Sequence, residues 1–252
     1  MKGIDAKHYL LEVRLRRDDV ASFDEYPFSI PAVRHLKSLT LHPAVTFVIG
    51  ENGTGKSTLL EAIAAGWGFN PEGGSVNFHF STRRSHSRLD EFLRLVRGVR
   101  RPRTGFFLRA ESFFNVASEI ERLDEEPAPE PKIIERYGGR SLHEQSHGES
   151  FLALLMNRFG GAGLYILDEP EAALSPTRQM AALSRIHQLV GQGSQFLIAT
   201  HSPILMAYPN ATIYQLSEEG IATVKYTDTD YYTVTRDFLN RHEQMLRVLM
   251  EE

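Results

Sequence analysis

The sequence predicts an α/β fold with a mostly parallel central sheet, an antiparallel β part and a helical insertion. The runs "AVTFVIG", "AGLYILDEP" and "SQFLIATHSP" have the continuous apolar character of strands that are buried on both faces. Segments of helical composition follow the first two runs. Polar clusters stand at the ends of all three, and in such sheets ligands bind at the carboxyl ends of the strands.

The composition fits one intracellular domain spanning residues 1–252. The chain has 252 residues, of which 42% are hydrophobic, so it can bury a substantial core. It contains no cysteine, which excludes disulfides and thiolate metal sites. The N-terminal sequence lacks the apolar core of a signal peptide, and no apolar run is long enough to span a bilayer. We therefore expect a soluble, cytoplasmic protein.

The first third of the chain predicts a strand and then a strand–turn–helix unit. "LLEVRLRRDD" alternates, with Leu11, Val13 and Leu15 on one face and charged residues on the other. "AVTFVIG" then runs through a glycine-rich turn into "STLLEAIAAGWG". Residues 73–139 are predicted to be largely helical, with one main-sheet strand at "TGFFLRAES" and a loose connector at "DEEPAPEP". A helical lobe is expected over approximately residues 73–160.

The remainder predicts further helices and one hairpin. Apolar residues recur at helical spacing between Glu149 and Phe159, and a second helix is expected after Pro176, ended by glycines. "ATIYQLSEEGIATVKYT" predicts a hairpin turning at "SEEG". From about Thr235 a terminal helix is expected to carry an apolar stripe, which comprises Phe238, Leu239, Leu246 and Leu249.

Arginines are concentrated in the segment 83–109. Only Asp90 and Glu91 oppose them, although the whole chain has a net charge of −4. One interpretation is a solvated helix face followed by a flexible loop; the other is a basic docking surface for DNA phosphates or an acidic partner. The arginines are Arg83, Arg84, Arg88, Arg94, Arg97, Arg100, Arg101, Arg103 and Arg109.

The turn after the first buried strand, "GENGTGKS", matches the phosphate-binding pattern G-x-x-x-x-G-K-[ST]. Glycines allow successive backbone N–H groups to point at phosphate oxygens, and the next helix presents its positive end. Lys56 is predicted to reach the β- and γ-phosphates and Ser57 to offer its hydroxyl to Mg²⁺. The predicted ATP-binding residues of this turn are Gly50, Asn52, Gly53, Thr54, Gly55, Lys56 and Ser57.

The other two buried strands end in groups that suit phosphate chemistry. Asp168 can hold magnesium and Glu169 can polarise an attacking water, whereas the alternative is a polar surface turn. His201 ends the third strand, where an imidazole can bind a γ-phosphate and the water together; the alternative is a structural core histidine. We predict Glu169, His201 and Lys56 as catalytic residues.

The order of these motifs, with "QSHGE" between the phosphate-binding turn and "LYILDEP", resembles that of ABC-type P-loop ATPases. The resemblance is greatest to the soluble branch of stand-alone bacterial ATPases, which is similar to DNA-repair, chromosome-maintenance and overcoming-lysogenisation-defect ATPase heads. It implies Mg²⁺-dependent ATP hydrolysis in a head-to-tail homodimer that drives or gates another protein. The alternative is the nucleotide-binding subunit of an ABC transporter.

The resemblance also implies roles for individual residues. Thr58 would contact the α-phosphate, and Glu111 would stand where a glutamine that approaches magnesium is usual. The signature of the second subunit, which closes over the γ-phosphate, would consist of Ser146, His147, Gly148 and Glu149.

Some features of the signature and the adenine site stay open in the sequence. Ser146 and Glu149 also form a helix-capping box, and His147 either turns away from the nucleotide or joins His201. Tyr26 and Phe28 are candidates for stacking on adenine, although either could belong to the core.

Overall fold

Nine strands form two sheets in the residues that the computed structural model describes, which are 8–76, 87–110, 113–125 and 132–250. The strands are β1 (Leu10–Leu15), β2 (Ser38–Thr40), β3 (Val45–Gly50), β4 (Leu93–Arg97), β5 (Thr104–Arg109), β6 (Gly163–Asp168), β7 (Gln195–Ala199), β8 (Thr212–Ser217) and β9 (Gly220–Val224).

Helices connect and cover these strands. The α-helices are α1 (Pro31–Arg34), α2 (Lys56–Trp67), α3 (Phe113–Glu125), α4 (His147–Ala153), α5 (Pro176–Gly191), α6 (Pro203–Met206) and α7 (Asp230–Met250). Short 3-10 helices occupy Arg17–Asp19, Arg88–Phe92, Ile133–Tyr137, Pro170–Ala173 and Tyr226–Asp228, and a π-helix follows α4 at Leu154–Arg158. Among the helices of the described ranges, none is long and apolar enough to cross a bilayer.

The larger sheet has the order β5-β6-β7-β3-β8-β9. Its first five strands are parallel, and β9 pairs antiparallel with β8 through the turn predicted at "SEEG". The smaller sheet, β2-β1-β4, is entirely antiparallel. The predicted α/β fold with a mostly parallel sheet and an antiparallel part is therefore confirmed.

The central strands are buried on both faces, as their continuous apolar runs predict. In β3, Phe47 and Ile49 point into a core shared with α3, α4 and α5, whereas Val48 points into a second core shared with α2 and the smaller sheet. Strands β5, β6 and β7 alternate in the same way. This three-layer packing holds the carboxyl ends of β3, β6 and β7 side by side.

A buried glutamine joins the two sheets. Gln195 at the start of β7 accepts hydrogen bonds from the backbone N–H groups of Tyr9 and Leu10, both at 3.0 Å. Its amide donates to the carbonyls of Leu10 and His42, at 2.8 and 3.0 Å. The four bonds satisfy a side chain that is almost fully buried and fix the smaller sheet against the larger one.

Two predictions for local structure are wrong. Within the described part of residues 73–139, where a largely helical insertion was expected, Leu93–Arg97 instead forms strand β4 and pairs with β1. In β1 the alternation fails at its first residue: Leu10 is fully buried and Leu11 only partly, because the register shifts between Leu10 and Glu12. The predicted connector "DEEPAPEP" lies mostly outside the described residues.

Helix α7 begins earlier than the sequence predicts. It starts at Asp230 rather than near Thr235, and its backbone leaves helical geometry at Arg241. The predicted apolar stripe lies largely in solvent, since Leu239 and Leu249 are 68% and 71% exposed. The N-terminal turn of this helix, by contrast, reaches the cluster of polar strand ends described next.

Candidate functional site

The turn after β3 forms a tight loop that needs glycine at its two ends. At Gly50 a Cβ atom would lie 2.5 Å from the carbonyl oxygen of Leu216. Gly55 adopts a left-handed conformation, and a Cβ there would lie 2.3 Å from the side chain of Ile30. These contacts explain why both positions are occupied by glycine. Helix α2 starts directly after Gly55, so its N-terminus points at the loop.

Lys56 folds back over this loop. Its ammonium donates to the carbonyl oxygens of Gly50 at 2.8 Å and Glu51 at 3.0 Å. Burial lowers the pKa of Lys56 from its usual value, and the carboxylates of Glu169, Asp168 and Glu171 partly oppose this shift. The neighbouring carboxylates favour the charged form of this desolvated lysine, and a charged ammonium can bind an anion.

Ser57 meets the carboxyl end of the neighbouring strand β6. Its hydroxyl donates to Oδ1 of Asp168 at 3.1 Å. On the other side Arg109, at the end of β5, lies with its Nε 3.7 Å from Oδ2 of Asp168 and donates to Glu61 at 2.6 Å. Asp168 is almost completely buried, so these groups offset the cost of burying its charge.

The donor set around Asp168 fits magnesium. A hydroxyl and a carboxylate are hard oxygen ligands, and Mg²⁺ is commonly held by one or two protein oxygens together with waters and substrate phosphates. Ser57 and Asp168 supply that pair within hydrogen-bonding distance of each other. The third predicted ligand, Glu111, lies outside the described residues.

Glu169 stands in a left-handed backbone conformation, with φ 51° and ψ 51°. This conformation costs about 1–2 kcal/mol for a residue that has a Cβ. The backbone N–H of Glu169 donates to the carbonyl of Ala199 on β7 at 3.0 Å, which anchors the turn. Strain of this kind tends to occur at functional sites. The turn directs the Glu169 side chain away from the line of β6 and towards His201.

His201 is held by groups from two other segments, the turn after β6 and the start of α7. Its Nδ1 lies 2.9 Å from the hydroxyl of Tyr231, and its Nε2 lies 3.3 Å from Oε1 of Glu169. Its backbone N–H donates to the carboxylate of Glu171 at 2.5 Å. The Tyr231 hydroxyl in turn donates to the carbonyl of Gly50 at 2.8 Å. The end of β7 is thereby tied both to the phosphate loop and to Glu169.

Two cavities open beside these strand ends. One, of about 550 Å³, is lined by Glu51, Asn52, Glu169, His201 and Tyr231. The other, of about 790 Å³, lies between the phosphate loop, the β8–β9 turn and the start of α7. The structure therefore brings the predicted phosphate loop, Glu169 and His201 around one connected region of the surface.

The predicted signature lies elsewhere, at the start of α4. Ser146 caps this helix: its hydroxyl accepts from the backbone N–H of Glu149, whose carboxylate accepts from the backbone N–H of Ser146 at 3.0 Å. The capping-box interpretation is confirmed. Ser146, His147 and Glu149 are exposed, and none of them lines the two cavities of the described chain.

Close packing within the chain is enough to require glycine at position 148. A Cβ there would lie 2.5 Å from the carbonyl oxygen of Ala173 and 2.6 Å from the guanidinium of Arg178. The start of α4 thus packs closely against the segment that leads into α5. His147 lines a small cleft on this lobe, with Phe114 and His143 among its neighbours, and does not join His201 within one chain.

The two aromatic candidates for adenine stacking differ in packing. Phe28 makes edge contacts with Phe92 at 4.9 Å and Phe23 at 6.3 Å between ring centroids. It thus belongs to an aromatic cluster. Tyr26 is 66% exposed and belongs to the segment that adjoins the phosphate loop through Pro31. Of the two rings, that of Tyr26 has its face accessible.

The described part of the arginine-rich segment contains strands β4 and β5, and its arginines do not share a single surface. Arg109 lies in the site beside Asp168, Arg88 pairs with Glu91, and Arg83 and Arg84 lie outside the described residues. A cleft of about 610 Å³ beside Trp67 gathers four of the others, and no carboxylate of the described chain lines it. These four are Arg97, Arg100, Arg101 and Arg103.

The sequence did not lead us to predict three residues of the site. Arg109 ends a main-sheet strand, so the rule that singles out strand ends could have identified it. Glu171 lies two residues after Glu169 and could have been grouped with it. Tyr231 lies thirty positions beyond His201 on another element, and no spacing rule connects the two.

Comparison with known proteins agrees with this architecture. Residues 133–207 match the sequence family described as "AAA domain, putative AbiEii toxin, Type IV TA system". These residues include the predicted signature, Asp168-Glu169 and His201. No curated protein matches the sequence significantly.

Solved structures with a similar fold include cassettes of ABC transporters. The ADP conformation of MJ1267, an ATP-binding cassette of an ABC transporter, has a TM-score of 0.50 and 19% identity, covering 96% of this chain and 99% of that one. A chain of "an inward-facing conformation of a putative metal-chelate type ABC transporter" has a TM-score of 0.51 and 17% identity, covering 90% and 88%.

The fold is that of the ATP-binding cassettes of ABC transporters. At such low identity the likeness to the transporter cassettes defines the fold alone. The reaction, the partner and the assembly have to be argued from the residues of this chain.

Proposed function

We propose that this protein binds ATP and hydrolyses it in a Mg²⁺-dependent reaction. The observation that carries the proposal is the convergence of three strand ends: Ser57 bonds Asp168 at 3.1 Å, and His201 lies 3.3 Å from Glu169 beside the phosphate loop. Phosphoryl transfer requires little covalent chemistry from the protein, so positioning and charge stabilisation suffice for catalysis.

Each residue has a definite task in this reaction. The N–H groups of the loop Gly50–Thr58 bind the phosphates, and Lys56 leaves its carbonyl partners to neutralise β- and γ-phosphate oxygens. Glu169 accepts a hydrogen bond from the attacking water and orients it. His201 holds that water and the γ-phosphate together.

A divalent cation completes the charge balance. Ser57 and Asp168 would hold Mg²⁺, which when bound neutralises the charge of the β- and γ-phosphate oxygens. Acidic side chains including Glu51, Glu169 and Asp230 line the two cavities, and they repel a polyphosphate unless cations are present. We therefore expect ATP to bind weakly without Mg²⁺, because the single ammonium of Lys56 does not offset the charge of these carboxylates.

The closed catalytic unit is proposed to be a head-to-tail homodimer. Ser146 and His147 are exposed on a lobe outside the cavities of their own chain, and Ser146 caps a helix N-terminus, which attracts anions. A second copy would bring these groups to the γ-phosphate. Ser146→Arg should leave ATP binding intact but abolish ATP-dependent dimerisation and turnover, whereas Ser38→Arg, an exposed serine on β2, should change neither. Unchanged ATPase activity in Ser146→Arg would exclude this signature role.

The protein is proposed to act in solution, where it drives or gates another protein. Its motif resemblance is greatest to the soluble branch of these ATPases. The alternative is a transporter subunit, and the copurifying partner distinguishes the two. Affinity capture from membrane and soluble fractions should recover the partner from the soluble one; stoichiometric capture of a membrane permease would refute the soluble assignment.

DNA contact is proposed through the arginine cleft beside Trp67. Arg100, Arg101 and Arg103 are exposed in this cleft, and no carboxylate of the described chain lines it. Binding through phosphates should weaken steeply with salt, and replacing the three arginines by glutamine should reduce the slope of log K against log salt by about two to three. A DNA affinity that does not change with salt concentration, or an absence of DNA binding, would refute this proposal.

A further inference from the structure

Tyr231 occupies the junction of the phosphate loop, His201 and helix α7. Its hydroxyl lies 2.8 Å from the carbonyl oxygen of Gly50 and 2.9 Å from Nδ1 of His201. Its ring meets the imidazole edge to face, with centroids 5.4 Å apart. A hydroxyl has one proton and two lone pairs, so the two hydrogen bonds cannot both be donated.

The Gly50 carbonyl decides the direction of both bonds. A carbonyl oxygen only accepts, so the Tyr231 proton points at Gly50. The hydroxyl lone pair must then accept from His201, and Nδ1 must carry a hydrogen. Burial raises the pKa of the Tyr231 hydroxyl above its usual value, so its proton stays in place over the neutral range.

The other ring nitrogen of His201, Nε2, is consequently the one that faces Glu169 and the site. Nε2 is buried, lies 3.3 Å from Oε1 of Glu169, and makes no hydrogen bond within the described chain. In the neutral ring it is a bare acceptor, and in the charged ring it is a second donor. Both forms keep Nδ1–H, because the Tyr231 lone pair accepts from it in either case.

We propose that Tyr231 is a positioning residue that fixes His201 in the Nδ1–H tautomer, so that Nε2 alone exchanges protons with Glu169, the attacking water or a phosphate oxygen. The kinetic consequence rests on the proposed ATP hydrolysis. The tautomer itself does not, because every hydrogen bond that defines it is internal to one chain.

The variant Tyr231→Phe removes both hydrogen bonds and keeps the ring. Tyr232→Phe is the matched control, because it changes the next residue of α7, whose ring packs against Tyr226 instead of His201. The neutral histidine side chain in water favours a proton on Nε2, so loss of the Tyr231 acceptor should move His201 towards that form.

The first measurement is ¹⁵N NMR of histidine-labelled protein in mildly alkaline buffer without nucleotide. Protonated and bare ring nitrogens give well-separated signals, and a His201→Gln spectrum assigns His201 among the ten histidines. Wild type and Tyr232→Phe should show Nδ1–H, and Tyr231→Phe should not. An Nε2–H ring in the wild type, or an unchanged ring in Tyr231→Phe, would overturn the proposal.

The second measurement is steady-state ATP hydrolysis as a function of pH. Tyr231→Phe should lower kcat about 10-fold, the value of one or two net hydrogen bonds, with KM changed less than about 3-fold and a shifted pH profile. A proportional loss at every pH would mean a merely structural role. If no variant hydrolyses ATP, the proposed function fails while the NMR result still decides the tautomer.

Discussion

Two arginine–glutamate pairs of this chain have nearly the same length but differ in burial. Arg109 and Glu61 are 2.6 Å apart, with side chains 24% and 12% exposed. Arg88 and Glu91 are 2.7 Å apart, with side chains 78% and 51% exposed. The comparison tests whether Arg109 is a structural cation of the site or belongs to a solvated surface, which is one of the two interpretations of the sequence.

Replacing each arginine by methionine removes the charge and keeps most of the side-chain volume. Two unit charges about 4 Å apart attract by about 4 kcal/mol at an effective dielectric constant of about 20, and by about 1 kcal/mol in bulk water. Desolvation cancels part of the larger value, but truncating one partner leaves Glu61 poorly solvated. We expect Arg109→Met to lower the free energy of unfolding by about 2–3 kcal/mol, whereas Arg88→Met, which removes one partner of an exposed pair, should change it much less.

Urea unfolding measures both values. Circular dichroism and the fluorescence of Trp67, the single tryptophan, provide two probes whose coincidence tests two-state behaviour. The double variant Arg109→Met/Glu61→Leu should recover most of the lost stability, because it removes the Glu61 carboxylate together with the Arg109 cation. Equal losses in Arg109→Met and Arg88→Met would refute the buried-pair argument.

Three further predictions concern the signature lobe and the adenine site. Gly148→Ala should lower the free energy of unfolding by about 1–3 kcal/mol, because the new Cβ would lie 2.5 Å from a backbone carbonyl, whereas Gly191→Ala, with open space around it, should not destabilise; calorimetry of both variants checks this. Hydrogen bonds from the Ser146 side chain and backbone lower the pKa of Glu149, so the stability that Glu149 adds is present above its unfolded pKa and is lost as pH falls through the folded one. Melting temperatures of wild type and Glu149→Gln should therefore converge in acid; a gap that persists there would contradict the capping argument. Tyr26→Ala should weaken ATP binding about 5- to 30-fold with little effect on inorganic triphosphate, as measured by titration calorimetry, and equal losses for both ligands would exclude base stacking.

The parallel core could be predicted because each strand carries its signal locally. Strands β3, β6 and β7 are buried on both faces, so their sequences are continuously apolar, and the polar residues that follow them mark the site edge. That the predicted phosphate loop, Asp168, Glu169 and His201 lie at one edge of the sheet could thus be predicted from the residues and their order.

What could not be predicted depends on partners distant in the chain. "LRLVR" is a strand because it pairs with β1, about eighty residues earlier, and its composition alone does not distinguish strand from helix. The neighbours of Arg109 are set by the order of strands in the sheet, which the sequence leaves undetermined. Tyr231 reaches the site from α7 because that helix starts beside the phosphate loop, which no residue pattern indicates.

The most direct test of the central claim is Glu169→Gln, with Glu243→Gln on the exposed face of α7 as the matched control. Phosphate release, ATP affinity and size-exclusion chromatography with ATP and Mg²⁺ are measured on both variants. Glu169→Gln should turn over at least about 10²-fold more slowly, bind ATP at least as tightly as the wild type and elute as an ATP-dependent dimer, whereas Glu243→Gln should match the wild type. Wild-type turnover in Glu169→Gln would contradict the account.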